Sequence, residues 1–277
     1  MQTTRWAEFP HPSKTFEYAD QALAEHWAEL HRGDQEPFPD RERVLALDPD
    51  CADPEATALA LQQAWRDFHA GRFAAAVDGA EEIGLIAHAV ANKASGIYAD
   101  YLEEDDQVKL DIYQAGVRRA EAAIQSFPDD ANAHYFHAFL LGRYSQCISV
   151  TKALAEGVGG KIRKSLDRAL KLAPKHAEAL TASGLYHAEI IDKVGKLIGS
   201  MTYGASADKA VADCRKALEL TPQAAIAHLE YGNALYLLYG DKRLEESNQA
   251  YEKAAAMESM DAMQKLDTEY AKASMSE

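Results

Sequence analysis

The chain has 277 residues, 47% apolar and 9% aromatic, so a sizeable core can form and wholesale disorder is excluded. Its 44 acidic residues outnumber 29 lysines and arginines, for a formal charge of −15. A protein that neutralises phosphates needs a basic surface, which disfavours nucleic acid and anionic membrane as partners.

Alanine, leucine, glutamate and lysine dominate, and these strong helix formers predict an all-α chain. Three cysteines, Cys51, Cys147 and Cys214, are odd in number and widely spaced, so no disulfide framework follows. Cys214 stands at helical spacing from Val211 and Leu218 and reads as a small core residue. No apolar run approaches the roughly 20 residues that span a bilayer. The N-terminus "MQTTRWAEFPHPSK" lacks a charged-then-apolar leader pattern. A cytoplasmic protein is expected, or a periplasmic one if a leader has been cleaved.

In chain order, residues 1–15 read as a polar arm. "TFEYADQALAEHWAELHRG" reads as a first helix with Phe16, Ala19, Leu23, His26, Trp27 and Leu30 on its apolar face. "DQEPFPDRERVLALDPDCADPE" is a proline-broken connector with at most one short helix. Residues 1–52 therefore form an N-terminal arm, helix and connector, and 53–277 a repeat domain. At its start, Asp53 is placed to cap a helix, Pro54 to begin it and Gly71 to stop it. "RFAAAVDGAEEIG" is a second helix, Leu85 to Leu102 a third, and the acidic turn "EEDD" leads into "VKLDIYQAGVRRAEAAIQSF".

An internal echo follows. "RRAEAAIQSFPDDANAHYFHAF", "DRALKLAPKHAEALTASGLY" and "RKALELTPQAAIAHLEYGNAL" share one grammar. A small residue stands five positions before a proline: Ala123 and Pro128, Ala169 and Pro174, Ala217 and Pro222. A polar turn starts the next helix, which carries a small residue where helices must cross closely: Ala138, Gly184 and Gly232. In a weaker fourth unit Ala254 takes the alanine's place and Ser259 the proline's. Proline cannot continue a helix, the residue before it is pushed out of helical geometry, and small residues let helix axes approach to about 8–10 Å.

These units resemble tetratricopeptide repeats, which implies an α-solenoid of stacked antiparallel helix pairs. The excess length over the usual period of about 34 residues falls between the helices of a pair. It comprises "GRYSQCISVTKALAEGVGG" and "EIIDKVGKLIGSMTYGAS". That layout is similar to the regulator-of-microtubule-dynamics family and its bacterial relatives, and more distantly to the TRAP-transporter T component.

Motifs for chemistry are weak. "GVGGKI" at 157–162 fails the phosphate-loop pattern, with Ala155 in place of the first glycine and Ile162 in place of Ser or Thr, and reads as an interhelix loop. His134 and His137 lie one turn apart, but no carboxylate or cysteine stands at metal-ligand spacing. A serine-hydrolase elbow is missing, and the carboxylates of "LEEDD" lack the spaced calcium-loop pattern. We expect a non-enzyme without metal or cofactor.

The tetratricopeptide resemblance implies that the first helix of each pair lines a concave groove. The helices starting near Leu85, Asn132, Glu178 and Ala225 then carry the candidate ligand-binding residues. These are His88, Asn92, His134, His137, Tyr144, His187, Tyr231 and Asn233, with Lys93 and Arg143 adding positive charge. Aromatic and amide groups on rigid helices suit an extended peptide. A scaffold for a protein or peptide partner is the leading expectation. The alternative comes from the apolar band Ile190, Ile191, Val194, Leu197, Ile198 and Met201. It packs internally on the preceding insertion, roofs a pocket for a small apolar ligand or lipid, or makes a homo-oligomer contact.

Overall fold

The computed structural model describes residues 6–275; positions 1–5 of the expected arm lie outside them. Among the described residues the regular structure is helical, with no strand. The chain divides into two compact units. Unit 1 comprises the residues up to Leu30, Glu36–Cys147 and Met260–Met263. Unit 2 comprises His31–Gln35, Ile148–Ser259 and the residues from Gln264 onward.

Unit 1 contains α1 (Ala22–Leu30), α2 (Arg41–Leu47), α3 (Pro54–His69), α4 (Phe73–Ile83), α5 (His88–Tyr101), α6 (Asp106–Ser126) and α7 (Ala131–Gln146). Helix starts follow the residues that favour them. The carboxylates of Asp40, Asp53, Asp105 and Asp130 each accept backbone N–H groups in the first turn, which satisfies donors that a helix otherwise leaves open. Successive helices from α3 to α7 pack on one another, and α5 also packs on α7. The core is aromatic at one end, with Trp65 and Phe68 at 2% and 0% exposure and Trp27 edge-on to Trp65 at 5.6 Å.

Unit 2 contains α8 (Val150–Ala155), α9 (Val158–Leu172), α10 (Ala177–Val194), α11 (Lys196–Tyr203), α12 (Ala207–Leu220), α13 (Ala225–Tyr239), α14 (Leu244–Ala255) and most of α15 (Ala262–Ser274). Here α10 packs on α9, α12 and α13, and α13 packs on α12 and α14. α10 thus meets the first helix of the next pair as well as its own mate, as α5 does in unit 1, the defining contact of a helical repeat.

The repeat grammar has a common geometry. The N–H groups of Phe127, Ala173 and Thr221 donate to the carbonyls of Ala123, Ala169 and Ala217 at 2.7, 2.8 and 2.9 Å. Three residues later the N–H groups of Asp130, His176 and Ala224 donate to Phe127, Ala173 and Thr221. Ala123, Ala169, Ala217 and Ala254 are all fully buried. A Cβ on Gly184 would lie 2.9 Å from the Ala210 carbonyl oxygen, and one on Gly232 would lie 3.1 Å from that of Ser247. These glycines are where α10 meets α12 and α13 meets α14.

The histidines of the repeats also find a role. His134 Nε2 donates to the Pro128 carbonyl and His228 Nε2 to the Pro222 carbonyl, both at 2.9 Å. A carbonyl only accepts, so each imidazole carries its proton on Nε2. In the middle unit His176 instead caps α10, its Nδ1 accepting from the Ala179 N–H at 3.0 Å. These imidazoles tie each turn to the helix that follows it.

Two local expectations need correction. The first helix is shorter than its apolar pattern, because Tyr18 and Asp20 take positive φ of 38° and 51° and only a 3-10 turn, Lys14–Phe16, precedes α1. The Arg66 guanidinium donates to both their carbonyls, and the Tyr18 hydroxyl donates to the Met260 carbonyl at 2.8 Å. Tertiary partners thus outweigh helix propensity at this point. "GVGGKI" is not a loop: only Gly157, at φ 64°, is left-handed, and α9 begins at Val158. The apolar band of 190–201 spans two helices, since Gly195 at φ 80° separates α10 from α11.

Candidate functional site

Of the first helices, α5 brings the most polar residues together. His88, Asn92 and Lys93 are 1%, 0% and 3% exposed. Asn92 Oδ1 accepts from Arg119 Nη1 at 2.9 Å, and Arg119 Nη2 donates to Glu81 at 2.8 Å. The His88 ring stacks against Phe127 at 6.0 Å, with Nε2 3.9 Å from Asp130 Oδ1. Lys93 places its ammonium 5.9 Å from the centre of the Phe68 ring.

The N-terminal connector reaches the Asp130 end of this cluster. Arg43, on α2, donates to Asp130 Oδ2 at 2.5 Å. Asn132 donates to Glu36 Oε2 at 2.6 Å. The backbone of this segment is held as well, with Trp27 Nε1 donating to the Glu36 carbonyl and Gln62 Nε2 to that of Pro39. Residues 36–43 are therefore held at the start of α7, with the Arg43 charge felt by His88 at the start of α5. Asp130 could be found in the sequence as a helix cap. Glu36 and Arg43 could not, since nothing in a proline-broken connector announces where it lands.

Electrostatics follow from burial. His88 is pushed down to about 4, chiefly by burial, with the Arg43 and Arg119 charges adding to the effect and Asp130 opposing it. Burial alone would raise the Asp130 carboxyl. Cationic neighbours and hydrogen bonds hold it below its ordinary value instead, and with His88 neutral the Arg43 guanidinium is the cation that matters. Asn92 Nδ2 and both His88 ring nitrogens are buried with no hydrogen-bond partner among the described residues.

On α7 the side chains scatter. His137 Nε2 is 3.8 Å from Glu121, and His134 is committed to Pro128. Tyr144 is buried at 6% exposure. Arg143 pairs with Asp100 at 3.0 Å and stacks on Phe139.

In unit 2 His187 is buried against the Tyr186 ring at 5.3 Å, and burial pushes it down to about 4. The Tyr231 hydroxyl donates to Glu246 at 2.6 Å and accepts from Arg215. Asn233 is different. It donates to Glu230 at 2.8 Å, accepts from the Tyr251 hydroxyl, and lines an open cleft of about 420 Å³. The cleft is walled by Tyr236, Leu244, Ser247, Asn248, Tyr251 and Glu252 from α13 and α14, with Ser274 and Met275 at the end of α15. Tyr236 is 56% exposed. Among these residues only Asn233 was foreseen. The solvent-facing Tyr236 was a usable signal, three residues after Asn233 on the same helix.

Cys214 is a core residue, 1% exposed, its thiol pushed up to about 12 by burial. Among the described residues no three His, Cys, Asp or Glu side chains gather at metal-binding range. None of the described helices is long and apolar enough to cross a membrane.

No curated protein matches the chain. The family model of regulator of microtubule dynamics protein 1-3 matches residues 87–276, which takes in α5 through α15, all the first helices described above and both insertions. The chain belongs to the regulator of microtubule dynamics protein 1-3 family.

Proposed function

We propose that this protein is a non-catalytic helical-repeat scaffold that holds an extended segment of a protein partner in the cleft formed by α13, α14 and the end of α15. The observation that carries this reading is the make-up of that cleft. Amide groups of Asn233 and Asn248 stand beside Tyr236, Tyr251 and Leu244 around about 420 Å³ of open space. Amides pair with a peptide backbone, and aromatic rings supply contact area at small entropic cost. A family named for regulation agrees with a binding role. By contrast, His88, Asn92 and Lys93 on α5 are buried, and a pocket roofed by 190–201 has less support because Leu197, Ile198 and Met201 face solvent.

The test is selection of a displayed library of random dodecapeptides on the full chain, followed by calorimetry of the selected peptides. The pair Tyr236→Ala and Asn248→Ala, both exposed, is expected to weaken binding at least tenfold while the melting temperature stays within a degree or two. Selected peptides that bind this double variant as tightly as the parent would place the site elsewhere. Failure to select any peptide would count against peptide binding altogether.

A further inference from the structure

Two short helices of unit 2 expose apolar side chains that the fold leaves uncovered. On α8, Val150 and Leu154 are 48% and 49% exposed; on α11, Leu197, Ile198 and Met201 are 73%, 56% and 79% exposed. Isolated exposed apolar residues are ordinary, but a cluster on one feature marks an interaction surface.

The position of α11 is fixed. The Tyr203 ring approaches the Cβ position of Gly159 to 3.2 Å, and Arg163 Nη1 donates to the Tyr203 carbonyl at 2.5 Å. Gly199 is buried, its Cβ position 3.3 Å from the side chain of Ile190. The band identified in the sequence therefore divides: Ile190 packs inward, while the three residues after Gly195 face out. Helix α8 runs directly into α9 and packs on it, so both short helices meet α9 near its start.

The charge there reverses that of the chain. Segments 148–164 and 190–206 carry Lys152, Lys161, Arg163, Lys164, Lys193 and Lys196 against only Glu156 and Asp192. Of the bordering acids, Asp167 pairs with Arg163 at 3.5 Å and Glu189 with Lys193 at 3.6 Å. We propose that α8 and α11 form a shallow docking surface for a membrane of anionic lipid. The apolar side chains enter the headgroup boundary and the lysines meet its negative charge. A second copy of the chain is the poorer occupant, since an isologous contact would press this cationic face against itself.

The experiment floats the full chain with vesicles of phosphatidylcholine, with and without phosphatidylserine, at low and high salt. Binding is expected to need phosphatidylserine and to weaken with salt. Combining Leu197→Ser, Ile198→Ser and Met201→Ser should reduce binding at least tenfold. Combining Lys152→Glu, Lys161→Glu and Lys196→Glu should do the same. All six positions are exposed, so melting temperatures should hold.

Four outcomes would each overturn the proposal. The parent chain stays with neither vesicle at low salt. It binds neutral vesicles equally well. The triple serine variant floats like the parent. Light scattering finds a parent dimer that the serine variant dissolves, which would assign the surface to self-association. None of these readouts involves the α13–α14 cleft, so they are independent of peptide binding there.

Discussion

In unit 1 the polar residues of the first helices are spent on the chain's own N-terminal segment. Asp130 holds Arg43 and Asn132 holds Glu36, while His88 beside Asp130 and Asn92 beside Arg119 are buried. In unit 2 the corresponding helix α13 keeps an open side, with Asn233 and Tyr236 facing a cleft. The same residue types on the same kind of helix thus serve internal cohesion in one unit and border an open cleft in the other. What separates the two cases is whether another stretch of chain reaches the face. A buried charge must be paired where it lies, whereas Asn233, though bonded to Glu230 and Tyr251, still borders open space.

That contrast can be broken most severely at Asp130. Asp130→Ala removes the partner of Arg43 and the cap of α7 together. Loss of a nearly buried pair costs about 3–5 kcal/mol, and the cap adds about 1 kcal/mol. A urea titration should show unit 1 unfolding first, with the transition separating into two steps. Equal destabilisation by Asn233→Ala, whose cleft is open, would erase the distinction between the units.

The small-residue crossings should give the next largest effect. Gly184→Leu and Ala169→Trp overpack unit 2 and should cost about 1–3 kcal/mol or more. Thermal melts unchanged by both would contradict the close approach of α10 and α12.

Acidity sharpens the comparison through His88 and His187. Both are held at about 4 by burial, against an ordinary value of 6.5. As pH falls below 6.5 the unfolded chain takes up protons that these folded imidazoles refuse. Stability should therefore be flat above 6.5 on their account and decline from there towards pH 4. His88→Gln should flatten part of that decline, read as the shift in urea midpoint between pH 7 and 4.5. An unchanged slope would mean that His88 is protonated in the folded state.

The smallest expected effect is at the turn-locking imidazoles. His228→Ala removes one hydrogen bond to Pro222 and should cost about 1 kcal/mol. His134→Ala, in a more buried position, should cost the same or more.

Much of the scaffold was legible in the residue order. Proline, small residues and capping carboxylates act over a few positions, so Asp53, Ala123, Ala169, Ala217, Gly184 and Gly232 could be assigned from spacing alone. The three prolines predicted three turns that share one hydrogen-bond pattern. Candidate site residues were less legible, because a helix's periodicity says which residues share a face and not what will cover it. His88, Asn92 and Lys93 read as groove residues. Their surroundings come from residues distant in sequence: Asp130 and Phe127 beside His88, Arg119 on Asn92, and Phe68 beneath Lys93.

By itself, then, the sequence determined the helical class, the repeat turns and the close crossings, because each rests on backbone sterics acting within a turn or two of chain. Only the tertiary structure decided where the N-terminal connector lies, that Tyr18 and Asp20 break the first helix, and that the apolar band divides at Gly195 into a packed half and an exposed half. Those outcomes depend on partners distant in sequence, and burial is a property of the neighbours a residue acquires on folding.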